Sequence, residues 1–188
     1  MPLTTYTPGE VLTASSLNDN FTFAAANPPG GLTLISTTTI GTTVSSVTVS
    51  GAFSATYDNY LIVVNGGLAS TSLILQLTLG ASNTGYYWGY AGASYAGALI
   101  NSGGANQTYF LAGGGRADGL NMITNVLNPF LADQSVIYSE IANIDTSGST
   151  LRIGGFLNDT TSHTAFTLTT STGTITGGTI RVYGYANS

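Results

Sequence analysis

The chain has 188 residues, enough for one domain with a hydrophobic core and a short additional segment. Only 6% of the residues are charged, against about 25% in typical soluble domains, and the formal net charge is −5. Proteins that track nucleic acid neutralise about 6–10 phosphates, so a chain with three basic residues is not expected to bind nucleic acid.

The absence of cysteine excludes disulfides, thiolate nucleophiles and thiolate metal sites. The N-terminal residues lack the basic and apolar regions of a signal peptide, and no apolar run reaches the roughly 18 residues of a membrane span. We therefore expect synthesis in a cytoplasm and no membrane insertion. A surface with so few charges also favours a chain that is part of an assembly, although some Thr/Ser-rich secreted β-proteins are monomeric.

The first predicted element is a helix over 13–26, with the sequence TASSLNDNFTFAAA. Thr13 is a suitable N-cap, and Leu12 can contact Leu17 as a hydrophobic staple. Leu17 and Phe21 begin a narrow apolar stripe, and the Pro-Pro-Gly-Gly sequence at 28–31 ends the helix. A helix this short is marginal alone in water, so Leu12, Leu17 and Phe21 are predicted to anchor the segment 1–31 to a partner surface.

From Leu32 onward the apolar residues recur at every second position, which is typical of strands. The segment 73–79, LILQLTL, places four leucines on one face, and the apolar run at 59–65 resembles a central strand buried on both faces. Further strands are predicted at about 44–50, 86–90, 107–112, 120–127, 134–142, 151–157, 163–169 and 178–185.

Glycine-rich turns separate these strands, and no crossover helices are visible. About nine or ten short strands of this kind indicate an all-β, antiparallel β-sandwich, jelly-roll-like, over 32–188. Gly89, Gly92 and Gly97 lie among Tyr and Ala residues and suggest a tightly packed loop. The segment 113–119, GGGRADG, follows no phosphate-loop spacing and is interpreted as a flexible loop.

The sequence offers little for catalysis. The single histidine, His163, lies four residues from Asp159 and is interpreted as a solvated loop residue, because neither a cysteine nor a G-x-S-x-G motif accompanies it. Asp133, Glu140 and Asp145 are the closest set of acids for glycoside hydrolysis, but a chain with eight acids brings some together in any fold. We predict no catalytic residues, no metal site and no cofactor.

One group of residues, a cluster of aromatic side chains, indicates a binding function. Aromatic faces stack on sugar rings, and rigid Tyr and Trp side chains lose little conformational entropy on binding. A cluster of five aromatic residues is therefore interpreted as a glycan-binding or receptor-binding surface, with core or subunit-interface packing as the alternative. Its members are Tyr86, Tyr87, Trp88, Tyr90 and Tyr95.

Four stretches carry a resemblance to a known family. They are TPGEVLTASSLNDNF at 7–21, FSATYDNYLIVVN at 53–65, the Tyr-Tyr-Trp-Gly sequence at 86–89 and GTIRVYGYANS at 178–188. Together they resemble structural proteins of tailed bacteriophages, notably those of aquatic and cyanobacterial hosts, described as tail-fibre or capsid-fibre proteins. The first stretch resembles an N-terminal adapter that docks onto the particle.

The resemblance implies a non-enzymatic virion protein that docks on tail, baseplate or capsid proteins through residues 1–26. A homotrimeric short tail-fibre or spike-like appendage that contacts host surface glycan is the first hypothesis. The alternatives are a capsid decoration or cement protein and, less favoured, a glycan-degrading appendage enzyme. The sequence shows no coiled coil or solenoid shaft, so a long fibre is not expected.

Overall fold

The computed structural model describes residues 5–11, 13–26, 31–142 and 148–187. They divide into two compact units, one before Leu32 and one from Leu32 to Asn187. The helix of the first unit, α1 (Ala14–Ala26), begins directly after Thr13. The backbone N–H of Ser16 donates to Oγ1 of Thr13 at 3.3 Å, which is the N-cap that the sequence predicts.

The second unit consists of antiparallel strands joined by turns. Their bounds are β1 (Leu32–Thr39), β2 (Ser46–Val49), β3 (Asn59–Asn65), β4 (Leu68–Ala69), β5 (Leu73–Leu79), β6 (Tyr86–Ser94), β7 (Leu99–Gln107), β8 (Phe110–Arg116), β9 (Gly119–Leu127), β10 (Ser135–Ala142), β11 (Ser149–Leu157), β12 (Phe166–Thr170), β13 (Ile175–Thr176) and β14 (Thr179–Tyr185).

The strands form two layers. In the described part of the chain, twelve strands belong to one continuous hydrogen-bonded sheet with two branches. The branch called here the large sheet has the order β1-β14-β3-β9-β10-β11-β6-β7, and the branch called here the small sheet has the order β2-β12-β5-β8, while β4 and β13 form a separate two-stranded sheet. Residues Gly114–Arg116 of β8 pair with Gly119–Asn121 of β9, and β9 then continues between β3 and β10. The two sheets are thus joined through one hairpin, and the predicted antiparallel β-sandwich with a short N-terminal helix is confirmed.

Alternating side chains place the core between the two sheets. In β5 the four leucines predicted to share a face are all buried, while Ile74, Gln76 and Thr78 are half-buried. Ile180 and Val182 of β14 are fully buried as predicted, and Tyr60, Ile62 and Val64 of β3 are at most 2% exposed. A smaller cluster, Leu111 with Ile141 and Ile153, brings β8 against β10 and β11. Burial of such side chains contributes about 1.5–3 kcal/mol each.

Two glycine-rich segments form strands, in contrast to the prediction of loops. Gly89 and Gly92 lie within β6, and the connection between β6 and β7 is a tight turn in which Gly97 has φ 87°. The glycines at 113–115 lie in β8, where Gly113 has Met122 packed against its α-carbon and a Cβ would approach within 2.6 Å of the Met122 Cβ. Glycine allows neighbouring strands to approach closely here. The sequence does not reveal this role, because glycine is equally typical of turns.

No helix in the described ranges is long and apolar enough to cross a membrane.

Candidate functional site

The predicted aromatic cluster divides between the two faces of β6. Tyr86 is completely buried, and its ring meets that of Phe110 at 4.7 Å and 90°. Its hydroxyl donates to the Ser82 carbonyl at 3.0 Å and accepts from the Leu79 N–H at 2.9 Å. Burial raises the pKa of Tyr86 to about 12. Tyr86 is therefore a core residue and cannot contact a ligand.

Trp88 and Tyr90 lie on the same face of β6 as Tyr86, the inner face that is turned toward the small sheet. The Trp88 ring stacks with Tyr90 at 6.2 Å and with Tyr109 at 6.3 Å, and both β6 residues pack against the cluster of Leu111, Ile141 and Ile153. Tyr95 is 63% exposed in the turn after β6. The structure thus does not assemble the five predicted residues into one surface.

Tyr87 lies on the opposite, outer face of the large sheet. The pairing of β6 with β11 sets Tyr87 beside Phe156, and their rings stack at 4.9 Å with an interplanar angle of 6°. Phe156 is 36% exposed and Tyr87 is half-buried. These two rings, hereafter the platform, form a partly exposed aromatic stack on the outer face, and exposed aromatic side chains of this kind can contact sugar rings.

Beside the platform lies a row of glycines on three adjacent strands, hereafter the glycine row. Strand register places Gly154 of β11 opposite Gly89 of β6, and Gly89 opposite Gly103 of β7. At the β10 end the row meets Tyr138, which pairs with Gly154 and is 55% exposed. Bare backbone therefore forms a floor with aromatic rings at its side and at its end.

The platform and two glycines of the row, Gly89 and Gly154, line a cavity of about 500 Å³, hereafter the first cavity. This volume falls within the range of small-molecule sites, about 300–1,000 Å³. The side chain of Gln134 is at its margin and offers both a hydrogen-bond donor and an acceptor. The lining residues are Tyr87, Trp88, Gly89, Gly104, Gln134, Val136, Tyr138, Gly154, Gly155 and Phe156.

A second cavity, of about 410 Å³, lies on the other side of Tyr138. It is lined by Asn59, Asn125, Leu127, Tyr138 and Tyr185. The Tyr185 hydroxyl donates to Oδ1 of Asn125 at 2.5 Å, which orients the carboxamide. This second cavity is more polar in its side chains than the first, because two carboxamides and a phenol hydroxyl replace the glycines.

His163 is buried, not solvated as predicted. It is 3% exposed, its Nε2 has no hydrogen-bond partner, and burial lowers its pKa, an effect that Asp159 opposes. Asp159 accepts hydrogen bonds from Ser82 at 2.5 Å and from Thr161 at 2.6 Å, which lower its pKa to about 2. The Ser82 hydroxyl thus donates to a carboxylate and has no imidazole acting on it, so this is not the geometry of an activated nucleophile.

Two of the three acids of the predicted set lie in the described residues, each with a partner of its own. Glu140 is 69% exposed and pairs with Arg152 at 3.1 Å, and Asp133 accepts from the N–H of Gln134. Asp145, the third acid of the predicted set, lies outside the described residues. Within the described ranges no group of three His, Asp or Glu residues could hold a metal ion.

The predicted anchoring residues lie in the first unit. Leu17 is 39% exposed and Phe21 is 65% exposed on α1, and Leu12 lies outside the described residues. An exposed phenylalanine next to an exposed leucine is the apolar pair that the sequence pattern predicts for this helix.

Comparison with known proteins adds nothing to these observations, since no protein-family model, curated protein or solved structure matches the chain.

Sequence reasoning missed Phe156, Tyr138 and the glycine row. Each lies on a strand whose opposite face fills the core, and Phe156 meets Tyr87 only because β11 pairs with β6, which sets these two distant residues opposite one another. One signal was available: β10 and β11 carry large apolar residues at both parities, which indicates that the outer face also has something to contact.

Proposed function

We propose that the chain is a non-enzymatic structural protein of a tailed-bacteriophage virion, and that its sandwich binds carbohydrate on the host surface through the platform and the glycine row. The observation that carries the binding part is a cavity of about 500 Å³ lined by stacked rings and bare backbone. The virion part is supported by the resemblance of four stretches of sequence and by the low charge. Residues 1–26 then dock on the particle.

The chemistry of the first cavity favours binding over reaction. Catalysis of glycoside cleavage needs two carboxyl groups about 5–10 Å apart across the bond, and none of the residues lining the first cavity is acidic. Stacked aromatic rings instead hold the apolar face of a sugar, and Gln134 supplies hydrogen bonds at the margin.

The binding test is a glycan array probed with the labelled full-length chain. We expect a defined set of glycans to bind, and the double variant Tyr87→Ala/Phe156→Ala to lose that signal. Tyr95→Ala is the matched control, because Tyr95 is an exposed aromatic residue outside the first cavity. Equal binding by the double variant and the wild type would contradict the proposed site.

The docking test is incorporation into particles. A chain lacking residues 1–26, or carrying Leu17→Ser and Phe21→Ser, is expected to be absent from purified virions while the free sandwich still folds. Incorporation at the normal level would overturn the anchoring role.

The homotrimer is tested separately by light scattering on the purified chain. A stable 19.2 kDa species would contradict the trimer.

A capsid decoration protein is the second candidate. It is favoured by exposed apolar residues on the part of the outer face away from the platform: Leu32, Leu34 and Ile123 are 47%, 53% and 52% exposed. A cementing protein would bury these residues against the shell. In that case particles lacking the chain would lose heat stability but would still adsorb to cells.

A further inference from the structure

The first and second cavities lie on the same face of the large sheet and share one residue. Tyr138 lines both of them. Its neighbours in register are Gly154 on β11 and Asn125 on β9, so the glycine row and the carboxamides lie on opposite sides of a single ring. A ligand seated over the glycines would therefore continue past Tyr138 toward Asn125.

The strand order sets the length of this path. The residues involved lie on six successive strands, β7, β6, β11, β10, β9 and β3. At about 4.8 Å between neighbouring strands, the path across the sheet from β7 to β3 is about 24 Å long. A single sugar ring would fill only a fraction of this path.

The lining of both cavities is uncharged. Their residues are Gly, Gln, Asn, Val, Leu and aromatic residues. Arg152 and Glu140 lie two residues along the strands from Gly154 and Tyr138 and pair with one another at 3.1 Å. Two further acids, Asp133 and Asp58, are the sequence neighbours of the lining residues Gln134 and Asn59. An acidic ligand would lose hydration here without meeting an opposite charge.

Two of the three members of the glycine row have no packing reason to lack a side chain, whereas a Cβ on the third, Gly103, would lie 3.1 Å from the Trp88 carbonyl oxygen. Gly89 and Gly154 have ordinary backbone angles, and a Cβ would have its closest neighbours at 3.9 Å and 3.8 Å respectively. By contrast, a Cβ on Gly92 of the same strand would lie 1.9 Å from the Thr150 carbonyl oxygen. Packing requires glycine at 92 but not at 89 or 154, where a methyl group would project into the first cavity.

The second cavity supplies directional hydrogen bonds. Because Oδ1 of Asn125 accepts from the Tyr185 hydroxyl, the amide nitrogen is the end of that side chain able to donate to a ligand. Asn59 adds a second carboxamide. Carboxamides match sugar hydroxyls, because both kinds of group can donate and accept hydrogen bonds.

We infer that the ligand of this face is an uncharged oligosaccharide that crosses Tyr138, with one part over the glycine row and the next at Asn125. The inference rests on the carbohydrate binding proposed above and adds the length and the charge of the ligand. Tyr138 divides the path into two subsites. Asn125 lies in the second subsite, which only a longer oligosaccharide reaches, so this residue makes the affinity depend on oligosaccharide length.

The experiment is calorimetry of the full-length chain with ladders of defined oligosaccharides. The probes are neutral gluco-, galacto- and manno-oligosaccharides from monosaccharide to hexasaccharide, and oligogalacturonates of the same lengths. For the wild type we expect affinity for one neutral ladder to rise at least about tenfold between the monosaccharide and the longer members. Oligogalacturonates are expected to bind more weakly at every length.

Two variants show which cavity produces the rise in affinity with oligosaccharide length. Asn125→Ala should remove most of the length dependence and leave the affinity of the shortest bound member within about twofold, because only the second cavity is changed. Gly89→Ala should weaken every length, because the methyl group enters the first cavity. Thermal melting of both variants, with Tyr95→Ala as control, shows that the fold is retained.

The outcomes separate the two proposals. A monosaccharide that binds as tightly as the longer members, or unchanged length dependence in Asn125→Ala, overturns the two-subsite ligand and leaves carbohydrate binding in place. Tighter binding of oligogalacturonates overturns the uncharged ligand. No binding to any ladder, together with no signal on the glycan array, contradicts the carbohydrate function itself.

Discussion

The two faces of β6 carry aromatic pairs of opposite character. Tyr86 meets Phe110 edge to face in the core, with its hydroxyl bonded to Ser82 and Leu79. Tyr87, the next residue, stacks flat on Phe156 at the surface of the large sheet. The first pair fills a volume in the core and satisfies polar groups, whereas the second forms a partly exposed stack. A step of one residue along a strand therefore separates a core position from a surface position.

The largest expected effect is on the buried side of this comparison. Tyr86→Ala removes a fully buried ring, and we expect a loss of about 3–5 kcal/mol in the free energy of unfolding, measured by urea denaturation. Tyr86→Phe keeps the ring but leaves the buried N–H of Leu79 without its acceptor, for a loss of about 1–3 kcal/mol. A wild-type midpoint in Tyr86→Ala would show that the ring is not in the core.

Two glycines of β6 give the next contrast. Gly92→Ala forces a methyl group against the Thr150 carbonyl oxygen and is expected to cost about 1–3 kcal/mol. Gly89→Ala, three residues earlier on the outer face, has room for the methyl group and is expected to change stability by no more than about 0.5 kcal/mol. Differential scanning calorimetry of both variants checks this, and equal melting temperatures would contradict the assigned faces.

Alkaline pH tests the environment of Tyr86 without removing its side chain from the core. Its pKa is about 12 in the fold, above the ordinary value of 10.0 in an unfolded chain. Between these values the unfolded chain loses a proton that the folded chain keeps, so stability falls as pH rises from 10 toward 12. We expect Tyr86→Phe to show a smaller fall over this window, measured by urea unfolding at several pH values. An identical slope in both proteins would be the contrary outcome.

Acid pH tests another buried group, His163. Burial holds its pKa below 6.5, so the unfolded chain takes up a proton that the folded chain resists. The contribution of neutral, buried His163 to the free energy of unfolding is complete above pH 6.5. This contribution is lost as the pH falls through 6.5 toward the lowered pKa. His163→Gln, which cannot titrate, is expected to flatten thermal stability between about pH 7.5 and 5. A wild-type slope in this variant would assign the acid sensitivity to other groups.

The smallest effect belongs to the surface pair. Tyr87→Ala is expected to lower the free energy of unfolding by about 1 kcal/mol or less, because the lost stacking is worth about 0.5–1.5 kcal/mol and much of the ring faces solvent. Chemical denaturation measures it beside Tyr86→Ala. A loss as large as that of Tyr86→Ala would place the platform in the core and contradict the carbohydrate binding proposed for it.

The architecture could be predicted because it depends on local pattern. The alternating leucines of β5 and the residues Ile180 and Val182 of β14 specify the buried faces without knowledge of their partners. The glycine-rich strands could not be predicted, because the propensity of glycine for turns is local while its use in β8 is to admit Met122. Tertiary contact there overrides propensity.

The candidate site is harder to predict because it depends on register. Tyr87 was identified, but Phe156, Tyr138 and Asn125 join it only through the pairing of four strands from separate parts of the chain. The density of aromatic residues around Tyr86 pointed to the right strand and could not separate its two faces. His163 was misjudged for a similar reason, since polar neighbours in sequence do not report burial produced by distant segments.

The pairing of β1 with β14 has a consequence for how the molecule reaches this state. Leu32 lies opposite Tyr185, so the large sheet is completed by contact between segments more than one hundred and fifty residues apart. Such distant pairing is slow because loop closure precedes any gain from contact. During synthesis β3 is made before β14, its neighbour on one side. Until β14 follows, the edge of β3 can pair with other chains, so closure of the sheet competes with aggregation.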